Sequence, residues 1–317
     1  TQPTQLKIKV SYASICGYEM MQYKAMSAGF PEGYLGHEAS GVVVGMGRNV
    51  VGFHMGDRVV LSPYYYCGYC ENCRKGQKTY CLNTQGHTPP FMAEYVVLDQ
   101  SMVFPLPESL SLQEGCLIEP LSVTIRAVEK ANLGYNKNLL IIGGGAMGLM
   151  ALQVALLHPV NNVVLLDPNP NKRELAAKLG AALALDPRSD DLYFHLMDHT
   201  NGMGYDAVIE ASGDSKSVTM GFNVLARGGS LVLLSMYETD FQFPLRPLSL
   251  YWKDATVQAV YPAADHIPFA LHLAPRLPLS QLITGIFPFT QAAQAFHEKS
   301  SNHQHVKVVL EFAGDLD

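Results

Sequence analysis

The residues Leu139-Leu140-Ile141-Ile142 run directly into Gly143-Gly144-Gly145-Ala146-Met147-Gly148, and an apolar stretch follows to Leu157. A short aliphatic run closed by glycines suits a buried strand that turns tightly into a helix. The glycines fall as G-x-G-x-x-G at Gly143, Gly145 and Gly148. This spacing lets the backbone approach a pyrophosphate at the start of the new helix, where free N–H groups and the helix dipole favour anions. Asn162-Val163-Val164-Leu165-Leu166 reads as the next strand and ends in Asp167, about 20 residues beyond the last glycine. A carboxylate there accepts hydrogen bonds from a ribose diol and repels a 2′-phosphate. The pattern therefore predicts a dinucleotide site that prefers NAD to NADP. A glycine turn inside a buried helix pair is the plainer alternative, but it leaves Asp167 without a role. Residues 139–157 contain one strongly polar side chain, Gln153, so a membrane span has to be weighed too. Three adjacent glycines and Pro159 fit a buried strand–turn–helix better.

From residue 139 onward, strands and helices alternate. Strands are expected at 139–142, 162–166, 182–185, 206–210 and 230–234, with a sixth at 256–260. Helices are expected near 147–157, 171–179, 189–200 and 215–226. This βαβ rhythm predicts an α/β domain with a parallel sheet covered on both faces, and ligand at the carboxyl ends of its strands. Ser212, Leu234 and Ser235 stand at such ends and are expected to border the cofactor with Gly143, Gly145, Ala146, Met147 and Gly148. The tail reads as helix 264–273, helix 290–298 and strand 306–311, returning to the first domain. His297, His303 and His305 surround a polar turn and are expected to be solvated.

The earlier half reads differently. Residues 7–10 alternate as a strand, leading to Cys16 and Gly17, and His37-Glu38 follow, with His37 21 residues after Cys16. Gly41-Val42-Val43-Val44-Gly45 and Gly56-Asp57-Arg58-Val59-Val60 suggest short strands with glycine turns, a compact and partly open β-barrel. Another strand is expected at 91–98. Four of the six cysteines, Cys67, Cys70, Cys73 and Cys81, lie within fifteen residues. Two-residue spacers let successive sulfurs turn onto one tetrahedral ion, and four thiolates fill its sphere, so this zinc is expected to be structural. Disulfides are the weaker alternative, since cysteines this close bridge poorly. Glu119 lies in an apolar stretch before Pro120. It is either a buried carboxylate with a metal partner or a helix-start charge. Residues 1–5 carry no apolar leader segment, so the cytoplasm is expected. The net charge of −6, without any Lys/Arg run, excludes a nucleic-acid surface.

Together these residues resemble the zinc-containing medium-chain dehydrogenases/reductases, in the branch of polyol (sorbitol-like) and threonine dehydrogenases. The resemblance is carried by Gly36-His37-Glu38 with Gly41, Gly45, Gly47 and Gly56-Asp57-Arg58-Val59; by the four-cysteine lobe; by Ile118-Glu119-Pro120-Leu121-Ser122; and by Gly143–Gly148 with Asp167. It implies a GroES-like, partly open β-barrel catalytic domain (1–121 and 263–317, with the zinc lobe at 67–81) and a Rossmann-type doubly wound NAD-binding domain (122–262). It further implies a catalytic zinc held by Cys16 and His37, with Glu38 and Glu119 as carboxylate ligands and one position left for substrate. The implied reaction moves a hydride between a secondary alcohol (a polyol, sugar derivative or amino-acid alcohol) and NAD. A homodimer or homotetramer is implied as well.

Three departures stand out. After the catalytic cysteine the family reads Gly, Ser or Thr, Asp, any residue, His; this chain reads Gly17, Tyr18, Glu19, Met20, Met21. Tyr18 thus stands where a small hydroxyl relays the substrate proton, and either takes over that role or only shapes the pocket. The family's hairpin before residue 7 and its double glycine between Cys81 and Phe91 are missing, so residues are expected to be absent from both places. Two other functions stay open on sequence alone. One is a non-catalytic or regulatory dinucleotide-binding protein that lost the relay. The other is a zinc-free quinone-reductase relative, which the cysteine lobe disfavours.

Overall fold

The computed structural model describes residues 1–27, 35–83, 89–237, 240–261 and 265–312. The interval between Cys81 and Phe91, where residues were expected to be missing, lies largely outside them. The chain divides into two compact units, Thr1–Ser122 with Pro262–Asp317, and Val123–Tyr261.

The first unit is built on β1 (Gln5–Ile15), longer than the expected strand. It pairs antiparallel with β2 (Ala39–Met46) along its length, with β4 (Tyr95–Asp99) over its first half and with β13 (Lys307–Glu311) over its second. Register shifts after Lys7 and Val10 bend β1, so one strand serves two partners on the same edge. β3 (Arg58–Leu61), β5 (Val103–Pro105) and β12 (Ile283–Pro288) complete a seven-stranded, barrel-like sheet in the order β12-β13-β1-β2-β3-β5, with β4 on β1. Alternate residues Leu6, Ile8 and Val10, then Ala13 and Ile15 across the bulge, point into a core shared with Val43, Val59, Leu61, Leu98 and Leu310. The strand expected at 91–98 starts later, at Tyr95, because the amides of Phe91 and Met92 bond to the carbonyls of Gly36 and Leu35 instead.

The second unit is a six-stranded parallel sheet. Its order is β11-β10-β9-β6-β7-β8, formed by β6 (Asn138–Ile142), β7 (Asn162–Leu166), β8 (Leu183–Leu185), β9 (Tyr205–Glu210), β10 (Leu225–Leu233) and β11 (Thr256–Ala259). Leu139 to Ile142 are all buried, which explains a continuous apolar run rather than an alternating one. The helix Ala146–Ala155 is buried from Gly148 to Ala155, Gln153 included. Among the described residues no helix is long and apolar enough to cross a membrane. The expected helix 215–226 ends at Asn223, because Leu225 already pairs with Tyr205 and opens β10. In the tail, β12 was not foreseen, and His305 is not solvated: its side chain is 15% exposed and Nδ1 lies 3.3 Å from the Thr284 hydroxyl.

Candidate active site

Within the first unit, the end of β1 and the start of β2 bring three donors together. Cys16 follows β1 directly, and His37-Glu38 immediately precede β2. The ligand atoms of Cys16, His37 and Glu38 lie within 4.8 Å of one another. A helix absent from the sequence reading, Gly17–Ser27, supplies what orients them. Its Glu19 is fully buried. One oxygen sits 2.5 Å from His37 Nδ1 and accepts the Gly36 amide at 3.2 Å; the other accepts the Cys16 amide at 3.0 Å. A carboxylate on Nδ1 leaves Nε2 free to ligate, the usual carboxylate–histidine arrangement of metal sites.

Glu38 is also fully buried. It accepts the Ser14 hydroxyl, and Lys307 Nζ on β13 contacts its two oxygens at 2.5 and 2.8 Å. Burial alone would raise this carboxyl, but Lys307 and His37 hold it below the usual range. Glu119, 3% exposed at the start of the helix Ile118–Lys130, accepts the hydroxyl of Tyr64. Burial pushes it up to about 7, with Glu38 adding to the push and His37 opposing it. Glu119 stands outside the set of donors within 4.8 Å. Tyr18 is 42% exposed, with its ring edge-on to His37 at a 6.0 Å centroid distance. Burial lifts the Cys16 thiol, whereas His37 is raised to about 12 because its bonds to Cys16 and Glu19 outweigh burial. The donor set suits zinc: a divalent ion would displace these protons, leaving thiolate, neutral imidazole and carboxylate.

The second donor set is the lobe. Cys67, Cys70, Cys73 and Cys81 place their sulfurs within 4.8 Å of one another. Sulfur pairs lie 3.6, 3.9 and 4.0 Å apart. Four sulfurs about 2.3 Å from one zinc would be separated by about 3.8 Å, whereas a disulfide needs about 2.05 Å. All six cysteines are free. Amides of Cys70 and Cys67 point at the sulfurs of Cys67 and Cys81, each at 3.3 Å, as thiolates require.

In the second unit the glycine turn closes against the neighbouring strands. Gly143 has φ +108°, and a Cβ there would sit 2.7 Å from the Ser212 amide nitrogen. Gly145 caps the helix in extended backbone, and a Cβ there would meet nothing within 4 Å. Ala146 and Met147 open the helix. At Gly148 a Cβ would lie 1.8 Å from the Gly143 carbonyl oxygen, so the turn folds only without one. Asp167, 6% exposed, accepts the Gly144 amide at 2.7 Å and the Asn169 amide at 2.8 Å. At the same end of the sheet, Glu210 accepts the Ser212 amide at 2.8 Å and the hydroxyls of Ser212 and Tyr237. The amide of Leu234, just before Ser235, bonds the Glu210 carbonyl at 2.9 Å.

The sequence reading missed Glu19, Lys307, Ser14 and Tyr64 as members of these sites. A signal existed for Glu19, an acid three residues after Cys16. Lys307 carries none, because 269 residues separate it from Glu38.

Known proteins match along most of the chain. Residues 2–108 match the alcohol dehydrogenase GroES-like domain, and residues 146–271 the zinc-binding dehydrogenase family. D-xylulose reductase A of Aspergillus oryzae is 31% identical over 306 residues, covering 92% of this chain and 85% of the relative. A crystal structure of a zinc-binding dehydrogenase from Clostridium scindens superposes with a TM-score of 0.90 at 31% identity, over 98% of this chain and 90% of the other. A zinc-binding dehydrogenase from Sinorhizobium meliloti, solved bound to NADP, gives 0.89 at 25% identity, over 98% and 93%.

Proposed function

The chain belongs to the zinc-containing medium-chain dehydrogenase/reductase family, in its polyol dehydrogenase branch, and on that premise we propose that Cys16, His37 and a carboxylate hold a catalytic zinc in an NAD-linked oxidation of a secondary alcohol. As a member it is a zinc-dependent alcohol or polyol oxidoreductase with a nicotinamide cofactor and a small-molecule substrate. The relatives, named as dehydrogenases and reductases, give no support to a non-catalytic binder. The convergence of Cys16, His37 and Glu38 within 4.8 Å, with Glu19 on His37 Nδ1, carries the site reading. When bound, the zinc supplies a Lewis acid for the substrate hydroxyl and the nicotinamide accepts the hydride. Glu19 fixes the His37 ring. Lys307 and Ser14 hold the charge of Glu38 in a buried place. Tyr18 walls the pocket beside His37. The cysteine lobe takes the structural zinc.

Gly143, Gly145 and Gly148 would admit the pyrophosphate at the helix start, with Ser212, Leu234 and Ser235 at the neighbouring strand ends. Asp167 supports NAD over NADP, since a buried carboxylate at the end of β7 repels a 2′-phosphate. A panel of polyols and sugar derivatives is expected to give faster reduction of NAD than of NADP, with about two zinc ions per chain. Asp167→Gly is expected to weaken NAD binding about tenfold and to narrow the gap to NADP. Equal use of both cofactors by the unaltered enzyme would refute the preference.

We also propose a homodimer or homotetramer, in the cytoplasm, where the free cysteines would stay reduced. β11 is the last strand of its sheet, and Tyr251 and Trp252 just before it are 73% and 63% exposed. An open edge beside exposed aromatics suits a second copy. Light scattering is expected to give a multiple of the chain mass, reduced by Trp252→Glu; a monomer at micromolar concentration would contradict it.

A further inference from the structure

The two buried glutamates of the first unit are held in different ways. Glu38 is clamped by a cation, Lys307, and by the Ser14 hydroxyl. Glu119 takes the hydroxyl of a neutral side chain, Tyr64, on Oε1. Tyr64 does not sit on a regular element. It follows β3, in the short segment that leads to the cysteine lobe at Cys67. The segment is pinned to the sheet, since the Ser62 amide donates to the Met102 carbonyl at 2.8 Å and the Tyr64 amide to the Ser62 hydroxyl at 3.2 Å. On its far side the chain enters the four-cysteine cluster. The phenol is therefore delivered to Glu119 from a segment fixed at both ends. A buried carboxylate keeps one orientation only if its donors hold it. The Oε1 of Glu119 is held by this hydroxyl, whereas Glu38 is locked by charge.

We propose that Tyr64 is a positioning residue for the dehydrogenase reaction: its hydroxyl sets the direction in which the Glu119 carboxylate faces the Cys16–His37–Glu38 donors. This rests on the zinc-site reading above. The phenol adds no charge beside the donors, so it orients Glu119 without neutralising it, which leaves the carboxylate able to answer a metal or its ligand. Structurally, Tyr64 would also tie the metal lobe to the catalytic donors, through the two residues that separate it from Cys67.

The experiment compares Tyr64→Phe, Glu119→Gln and the double variant as purified zinc-loaded enzyme, and records the visible ligand-field spectrum after cobalt replaces the catalytic zinc. Tyr64→Phe keeps the ring, so its melting temperature and NAD affinity are expected to match the parent. It is expected to lower kcat by about ten- to a hundredfold, as loss of an outer-shell partner does, with little change in the KM for NAD. The cobalt spectrum should shift. The double variant should be no slower than Glu119→Gln alone, since both changes break one link. An unchanged spectrum and kcat in Tyr64→Phe, or losses that multiply in the double variant, would overturn the role of Tyr64 while leaving the zinc site standing. Full activity in Glu119→Gln would overturn this inference as well, while the zinc-site reading, carried by Cys16, His37 and Glu38, falls only if Cys16→Ser keeps both zincs and normal turnover.

Discussion

Cys16→Ser and His37→Ala should each lower the zinc content from about two ions per chain to about one and cut NADH formation by roughly a thousandfold or more. A Lewis acid at the reacting oxygen contributes several kcal/mol to the barrier, and each 1.4 kcal/mol is about tenfold in rate. The remaining zinc should be that of Cys67, Cys70, Cys73 and Cys81, whose four sulfurs form a separate set. NAD affinity should survive, because the glycine turn and Asp167 belong to the other compact unit. Glu19→Gln tests the same site from outside. It removes the charge from the carboxylate 2.5 Å from His37 Nδ1, and should cost about ten- to a hundredfold in activity or metal affinity. Elemental analysis and NADH absorbance on one sample decide the matter. Two retained zincs with normal turnover in Cys16→Ser would end the proposal.

Gly148→Ala and Gly145→Ala should part company although only two residues separate them. The new methyl at Gly148 would lie 1.8 Å from the Gly143 carbonyl oxygen and 3.0 Å from its carbon, both backbone atoms that cannot rotate away. The helix start must shift, at about 3 kcal/mol or more, and the turn that presents the amides goes with it. At Gly145 a methyl meets nothing within 4 Å. That variant should fold with a near-parental melting temperature and lose NAD affinity about tenfold or more, because the methyl takes the space into which a pyrophosphate would enter. Calorimetry and NAD titration separate the two. If Gly145→Ala binds NAD normally, the phosphate does not lie against that residue.

Much of the fold was legible because its signals are local. Four cysteines within fifteen residues need no tertiary information to suggest a tetrahedral site. The aliphatic run, the glycine spacing and Asp167 at the next strand end sit within one strand–helix–strand unit, and the structure shows that unit with Asp167 bonded back to Gly144. Element ends were less legible. β10 begins at Leu225 rather than 230 because a pairing with Tyr205 across the sheet overrides a helical pattern. The helix Gly17–Ser27 escaped notice because its residues, Gly-Tyr-Glu-Met-Met-Gln-Tyr-Lys-Ala-Met-Ser, do not segregate into an apolar and a polar face.

The sequence by itself determined the chemistry available to this protein: a thiol, an imidazole and two glutamates in the right order, a four-thiolate lobe, a glycine turn and an acid at the next strand end. Short-range spacing is enough for these, since each depends on residues a few positions apart or on a motif of fixed order. Only the tertiary structure decided how the two glutamates differ. Glu38 is bound to Lys307 because β13 pairs with β1 and returns the end of the chain to the start. Glu119 is bound to Tyr64 because the segment after β3 brings that hydroxyl to a carboxylate 55 residues later in the chain. Two buried carboxylates of one residue type are given one cationic and one neutral partner, and which partner each receives is set by contacts over long sequence distances, which no local pattern encodes.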